Sequence, residues 1–185
     1  RIMASKLRVD HIEPVGGIPT GGGGGVIQVV STTKTDTEEN STSATSLWKT
    51  SLSASITPKS ATSKILIFGF ASVSVAGPQF NIGLGLYKDS TYMTGAAGDA
   101  ASSRAKVHSS GMNAPDGGNG ENTMVSLPIN YMDTAGDTSS RTYYVAIRNP
   151  SSITRVVRLN YSITDTDSAY FLRQVSTLTL MEISA

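Results

Sequence analysis

From Val26 onward, apolar and polar residues alternate along most of the chain. Because successive side chains of a β-strand point to opposite faces, this period of two predicts strands with one buried face. The segments that show it are residues 52–56, 65–75, 80–86, 125–131, 143–147, 153–163 and 175–184. Turn-forming Gly, Pro, Asn and Asp residues separate these segments. About eight to ten strands at this spacing predict an all-β fold, an antiparallel, jelly-roll-like β-sandwich.

Two of these strands are apolar on both faces. A sandwich strand normally shows one face to water, so a second apolar face predicts a second contact, most simply with copies of the same subunit. The predicted oligomer interface consists of Leu66, Phe68, Phe70, Leu178 and Leu180. The alternative is that the loop at residues 95–120 covers these faces within one subunit.

Residues 1–25 are predicted to be an extended N-terminal arm and a glycine-rich pivot, ahead of a head domain at residues 26–185. Five consecutive glycines, which have the largest ordering cost of any composition, form the pivot: Gly21, Gly22, Gly23, Gly24 and Gly25. Residues 5–12 alternate as a strand does, but an isolated strand is not stable in water. We therefore expect the arm to add to a partner's sheet edge, the alternative being that it docks on its own head. The predicted binding residues of the arm are Leu7, Val9, His11, Ile12 and Pro14.

Charge excludes some partners. Charged residues make up 16% of the chain and the net charge is +1, which is too balanced to indicate a nucleic-acid or membrane-surface partner. The surface is instead rich in hydroxyl groups, with 26 serines and 21 threonines. The longest apolar run, residues 65–71, is too short to span a bilayer, and residues 1–10 lack the apolar segment of a signal peptide. We expect synthesis in a cytoplasm.

The chain shows no set of residues for catalysis. There is no cysteine, and the two histidines, His11 and His108, lie far apart in sequence without ligand spacing. No G-x-S-x-G motif accompanies the serines, and no Lys-Ser/Thr pair follows the glycine run. The acidic turns at residues 133–137 and 165–167 do not match a calcium loop and are expected to form turns. We expect no enzyme activity, catalytic residue, metal or cofactor.

Four segments carry a family resemblance: SKLRVDHIEPVGG at residues 5–17, VIQVVSTTKTDT at 26–37, SASITPKSATSKILIFG at 53–69 and STLTLMEISA at 176–185. They resemble virion structural proteins of cyanophages and related marine podophages, namely capsid decoration or cement proteins and related tail-fibre distal domains. Residues 87–175 carry no such signature. The resemblance implies a trimeric β-sandwich exposed on the virion.

No long shaft precedes the head, which favours a protein that sits directly on a surface. We therefore expect a homotrimeric capsid decoration protein on the outer capsid surface, with the major capsid protein as partner, reinforcing the shell against the pressure of packaged DNA. The alternative is a tail-fibre or tailspike distal receptor-binding domain that recognises a host surface glycan.

Overall fold

The period-two segments of the head form strands. A computed structural model describes residues 25–42, 46–76, 81–112 and 122–185. Within these residues the chain forms eleven strands and one 3-10 turn, Thr94–Ala96. The strands are β1 (Val26–Lys34), β2 (Glu38–Thr42), β3 (Trp48–Ile56), β4 (Lys64–Val75), β5 (Asn81–Lys88), β6 (Thr91–Tyr92), β7 (Ser109–Met112), β8 (Val125–Thr134), β9 (Arg141–Arg148), β10 (Arg155–Leu159) and β11 (Ser176–Ile183).

The strands pair as two antiparallel sheets. In the first sheet the order is β1-β11-β4-β8, and the β10-β2 pair extends it beside the C-terminal end of β4. In the second sheet the order is β3-β9-β5-β7, with the short β6 beside the other end of β5. If β1, β3, β4, β5, β7, β8, β9 and β11 are numbered one to eight, the sheets run 1-8-3-6 and 2-7-4-5. This is the strand order of a jelly roll, so the predicted fold class is confirmed.

The core lies between the two sheets and is built mainly from the inward positions of β3, β4, β5, β8, β9, β10 and β11, and the partly buried Val30 of β1 packs against it. The largest fully buried side chains are Tyr143, Leu52, Ile65, Ile67, Ile82, Leu84, Leu86, Leu127, Ile147, Leu159, Leu178 and Leu180. Each such aliphatic side chain contributes about 1.5–3 kcal/mol through its burial. The alternation predicted for residues 65–75 is present, because Ile65, Ile67, Ala71, Val73 and Val75 all face this core.

Leu178 and Leu180 correct the predicted interface. Both are fully buried between the sheets, so they belong to the core of the subunit and do not reach an outer surface. The outward positions of the same strand are Thr177, Thr179, Met181 and Ile183. Of the five predicted interface residues, Leu66, Phe68 and Phe70 remain at the surface, on the outer side of β4.

The alternative cover for that surface is the loop at residues 95–120. Its described part reaches the outer side of the second sheet, where Val107 packs on Gly83 of β5. A Cβ on Gly83 would stand 2.5 Å from Val107 Cγ1, and one on Gly85 would stand 2.9 Å from Tyr92 Cε2. The two glycines therefore allow neighbouring chain to lie flat on the strand, as close packing requires.

Candidate assembly surface

The register of four strands places their outward side chains in rows across the first sheet. The rows are Val29, Met181, Leu66 and Met132; Ser31, Thr179, Phe68 and Asn130; and Thr33, Thr177, Phe70 and Pro128. We call these three rows the outer face. None of its residues is charged. One row is apolar across all four strands, and Phe68, Phe70 and Pro128 add apolar side chains beside it.

The outer face is accessible to a partner. Val29 and Met132, at the two ends of the apolar row, are 52% and 46% exposed, whereas Leu66, Phe68 and Phe70 of the central strand are half-buried. Four strands spaced about 4.8 Å apart and three rows about 6.8 Å apart give an area of about 400 Å². Seven of the twelve positions are apolar, so the apolar part is smaller than this area, and the largest apolar patch on a typical monomer is about 300–600 Å².

The surroundings enlarge the apolar area towards both ends of β11. Val26 pairs with Ile183 at one end and is 55% exposed, and Val175 lies just before the strand at the other end and is 41% exposed. A standard interface buries about 800 Å² on each partner, so these residues are needed in addition to the outer face. Lys64 borders the face on β4, and its Nζ donates to Thr134 Oγ1 at 3.0 Å.

A buried carboxylate fixes the end of the sheet beside this surface. Glu182 has no exposed surface, and its oxygens accept hydrogen bonds from Gln28 Nε2 at 2.5 Å, Lys59 N at 2.7 Å and Ser60 N at 3.3 Å. Burial by itself raises the pKa of Glu182, but these hydrogen bonds outweigh it and hold the pKa below its ordinary value. The charged carboxylate therefore ties β11 to β1 and to the turn after β3.

The start of the head lies at the same end of the sheet. Ser184 N donates to Gly25 O at 2.9 Å, which places the chain that enters β1 beside the end of β11. The arm residues Leu7, Val9, His11, Ile12 and Pro14 and the pivot residues Gly21, Gly22, Gly23 and Gly24 lie outside the described residues. Their predicted roles stay predictions.

His108 has a structural role. His108 Nδ1 lies 2.7 Å from Ala96 O, and Asn130 N donates to Nε2 at 3.1 Å. A carbonyl oxygen only accepts, so Nδ1 carries the proton, and both ring nitrogens are occupied by backbone groups. The ring links the 3-10 turn to β8 and offers no free nitrogen for general-base chemistry.

The acidic turns also satisfy their own carboxylates. Asp133 accepts from Lys88 Nζ at 2.9 Å and from Tyr143 Oη at 2.7 Å, and Asp137 accepts from Arg141 Nη2 at 2.6 Å. Burial raises the pKa of Asp133, but the hydrogen bonds from Lys88 and Tyr143 lower it by a larger amount. Its pKa therefore lies below the usual value. Among the residues that the structure describes, no cluster of three or more potential ligands could hold a metal.

The described residues include no candidate for a membrane-spanning helix. Within the described parts of the chain, no helix has the length and apolar character that crossing a bilayer requires.

The comparisons with known proteins found similar solved structures but no matching sequence family. No family model matches the chain, and no curated protein matches it. The chain is similar to chains in the structure of infectious bursal disease virus Gx strain, with 15% identity over 85% of this chain and 39% of that chain and a TM-score of 0.37. For the Gt strain of the same virus the identity is 13% over 94% of this chain and 44% of that chain, with a TM-score of 0.36.

The chain thus spans about two fifths of the length of these solved chains. The class defined above, an all-β jelly roll with an uncharged outer sheet face, rests on the strand order and register of the chain itself.

Sequence reasoning missed three residues of this surface. Val29, Met132 and Met181 lie on three different strands, and nothing in their local sequence shows that these three side chains meet. Isolated exposed apolar residues are common and need no explanation. Only the register, which joins them to Leu66 in one row, shows that they form a continuous surface.

Proposed function

We propose that this chain is a bacteriophage virion structural protein, a homotrimeric decoration or cement protein on the outer capsid surface. The observation that carries the proposal is the uncharged outer face with its apolar row of Val29, Met181, Leu66 and Met132. Burying these side chains against other copies of the subunit supplies the driving force for a trimer.

The jelly-roll strand order supports the proposal, because this fold is common among virus shell proteins. Fold alone does not define function, since lectin and enzyme domains share it. The resemblance of the segments at residues 5–17, 26–37, 53–69 and 176–185 to cyanophage virion proteins provides the second support.

The proposed action is mechanical and not catalytic. Three arms leave each trimer, and each adds a strand to an edge of the major capsid protein. Once one arm is bound, the other two bind as if at a high local concentration, so weak single contacts sum to firm attachment. A trimer attached to several shell subunits resists their separation under the pressure of packaged DNA.

Deletion of residues 1–17 tests the role of the arm. The deleted protein should remain a folded trimer but fail to sediment with undecorated capsids, whereas the full chain should bind them and raise their resistance to heat. The matched control for arm length keeps all residues of the arm but replaces four of its predicted binding residues: Leu7→Ser, Val9→Ser, His11→Ser and Ile12→Ser. If the deleted protein still coats capsids, the arm is not the anchor. If the full chain ignores capsids, the decoration role is wrong.

A second candidate function is a tail-fibre or tailspike distal domain that binds a host surface glycan. The observation that favours it is a cavity on the second sheet with two arginines in its wall. Labelled protein that binds host cells but not capsids would support this function over decoration.

A further inference from the structure

A cavity of about 290 Å³ lies on the outer side of the second sheet, away from the outer face of the first. Its centre is a cross-strand row in which Gly83 of β5 stands between Arg148 of β9 and Ser110 of β7. Because glycine has no side chain, the strand backbone forms the floor of the cavity between two polar neighbours. Gly83 is buried, whereas Ser110 is exposed at the rim.

The loop before β7 forms the opposite wall. Arg104, Ala105 and Val107 line the cavity from this loop, and Val107 is the residue that packs on Gly83. The backbone of the loop is held in place by a hydrogen bond from Gly98 N to Val107 O at 3.1 Å and one from Arg104 N to Ala101 O at 3.1 Å. The cavity is therefore formed between a strand and a loop that is held by hydrogen bonds between its own backbone groups.

Among the described residues of the lining, the charged side chains are all positive. The remaining lining residues are Asn81, Ile82 and Pro150, so the described wall contains two guanidinium groups and no carboxylate. Guanidinium groups bind carboxylate and phosphate with paired hydrogen bonds, and Asn81 and Ser110 add neutral donors. The volume lies just below the usual range for small-ligand sites, about 300–1,000 Å³, which suits a ligand with a single ring.

We propose that this cavity binds the carboxylate or phosphate group of an anionic ligand the size of a monosaccharide. Arg104 and Arg148 contact the anionic group from the loop and from the sheet, and Ser110 and Asn81 contact its polar substituents. The site lies on the sheet that does not carry the outer face, so the ligand and a trimer partner bind at separate places. The proposal therefore does not depend on the capsid or tail location of the protein.

Titration of the full chain with glucuronate, glucose 6-phosphate and neutral glucose, followed by calorimetry and by amide NMR shifts, tests the proposal. We expect saturable binding of at least one of the two anionic sugars, weakened by added salt, and none of glucose. Glucuronate and glucose 6-phosphate distinguish a carboxylate ligand from a phosphate ligand. Shifts should centre on Gly83 and Ser110.

Arg104→Gln and Lys106→Gln form a matched pair. Both remove one positive charge from the same loop, but only Arg104 lines the cavity, and it is exposed, so its replacement should not unfold the protein. Arg104→Gln should weaken binding by at least about fivefold, as expected for loss of a hydrogen bond to a charged group, and Lys106→Gln by less than about twofold. Absence of saturable binding by both anionic sugars, equal binding of glucose, or equal effects of the two variants would overturn the proposal.

Discussion

Glu182 illustrates how single buried polar residues hold the ends of the sandwich. A carboxylate without exposed surface is stable only when its charge is satisfied by hydrogen bonds, and three groups from β1 and the turn after β3 provide them. Asn160 plays a similar part at the other end of the sheet. Its side-chain amide donates to Lys34 O and Asp36 O at 2.9 Å each and accepts from Ser176 Oγ at 2.5 Å.

Replacing Glu182 by Gln should lower the free energy of unfolding at pH 7 by about 1–3 kcal/mol, because the amide has one acceptor oxygen in place of two and its NH2 group then faces a donor. The pKa of Glu182 in the folded protein lies below the ordinary value of 4.5, so its stabilising contribution is present above pH 4.5 and is lost as the pH falls through the folded-state pKa. Urea unfolding at several pH values measures this.

The variant should therefore show a shallower loss of stability between about pH 5 and pH 3 than the wild type. Asp99→Asn, at an exposed position, is the control and should leave both the stability and its pH dependence unchanged. An unchanged acid profile in Glu182→Gln would show that the carboxylate does not contribute in the way described.

Among the elements, β4 was predicted most fully and β2 least. The period of two in residues 65–75 places Ile65 and Ile67 in the core, as the structure does. Because β2 has the polar sequence EENST, it gives no such signal and exists through its pairing with β10. β10 itself ends at Leu159, earlier than predicted, because Asn160 has a φ of 70°, outside the extended region of a regular strand.

β11 shows the limit of periodicity when both faces of a strand are apolar. Leu178 and Leu180 alternate with Thr177 and Thr179, but Met181 and Ile183 make the other side apolar as well. The period shows which residues share a side of the strand, but it does not show which side faces the core. That choice depends on the partner strands, which the local sequence does not specify. Leu66, Phe68 and Phe70 of the outer face were predicted, but the rest of the face was not, because it is assembled from four segments that are distant in sequence.

Gly69 is the position in β4 that tolerates least change. Its φ is 147°, in the region that favours glycine, and an added Cβ would stand 2.2 Å from Thr177 O of the neighbouring strand. Gly69→Ala should therefore lower the unfolding free energy by at least about 2 kcal/mol through backbone strain and displacement of β11. Chemical denaturation measures the loss.

Gly98→Ala is the matched control for this substitution. The nearest atom to an added Cβ there is Val107 O at 4.0 Å, an ordinary contact distance. Its unfolding free energy should match the wild type within about 0.5 kcal/mol. A wild-type stability in Gly69→Ala would mean that β4 and β11 do not approach as closely as described.

On the scale of the whole molecule, the two sheets present different surfaces to their surroundings. The first sheet offers the uncharged outer face, and the second carries the cavity between Arg104 and Arg148. The proposal of assembly through the first sheet and ligand binding through the second follows from this division.

A charged residue introduced on the outer face should disrupt assembly without disrupting folding. Phe68→Glu places a carboxylate at a half-buried outward position of β4, so it should dissociate the oligomer while the wild-type circular dichroism spectrum is retained. Leu180→Glu places the same charge in the core and should prevent folding. Ser55→Glu, at an exposed position on β3 of the other sheet, should change neither property.

Sedimentation equilibrium of the full chain at micromolar concentration is the most direct measurement of the central claim, that the outer face is an assembly surface. We expect a wild-type mass three times the chain mass of 19.4 kDa, and a single chain mass for Phe68→Glu under the same conditions. A wild-type protein that sediments as a monomer throughout this range, or a Phe68→Glu variant that remains a trimer, would contradict it.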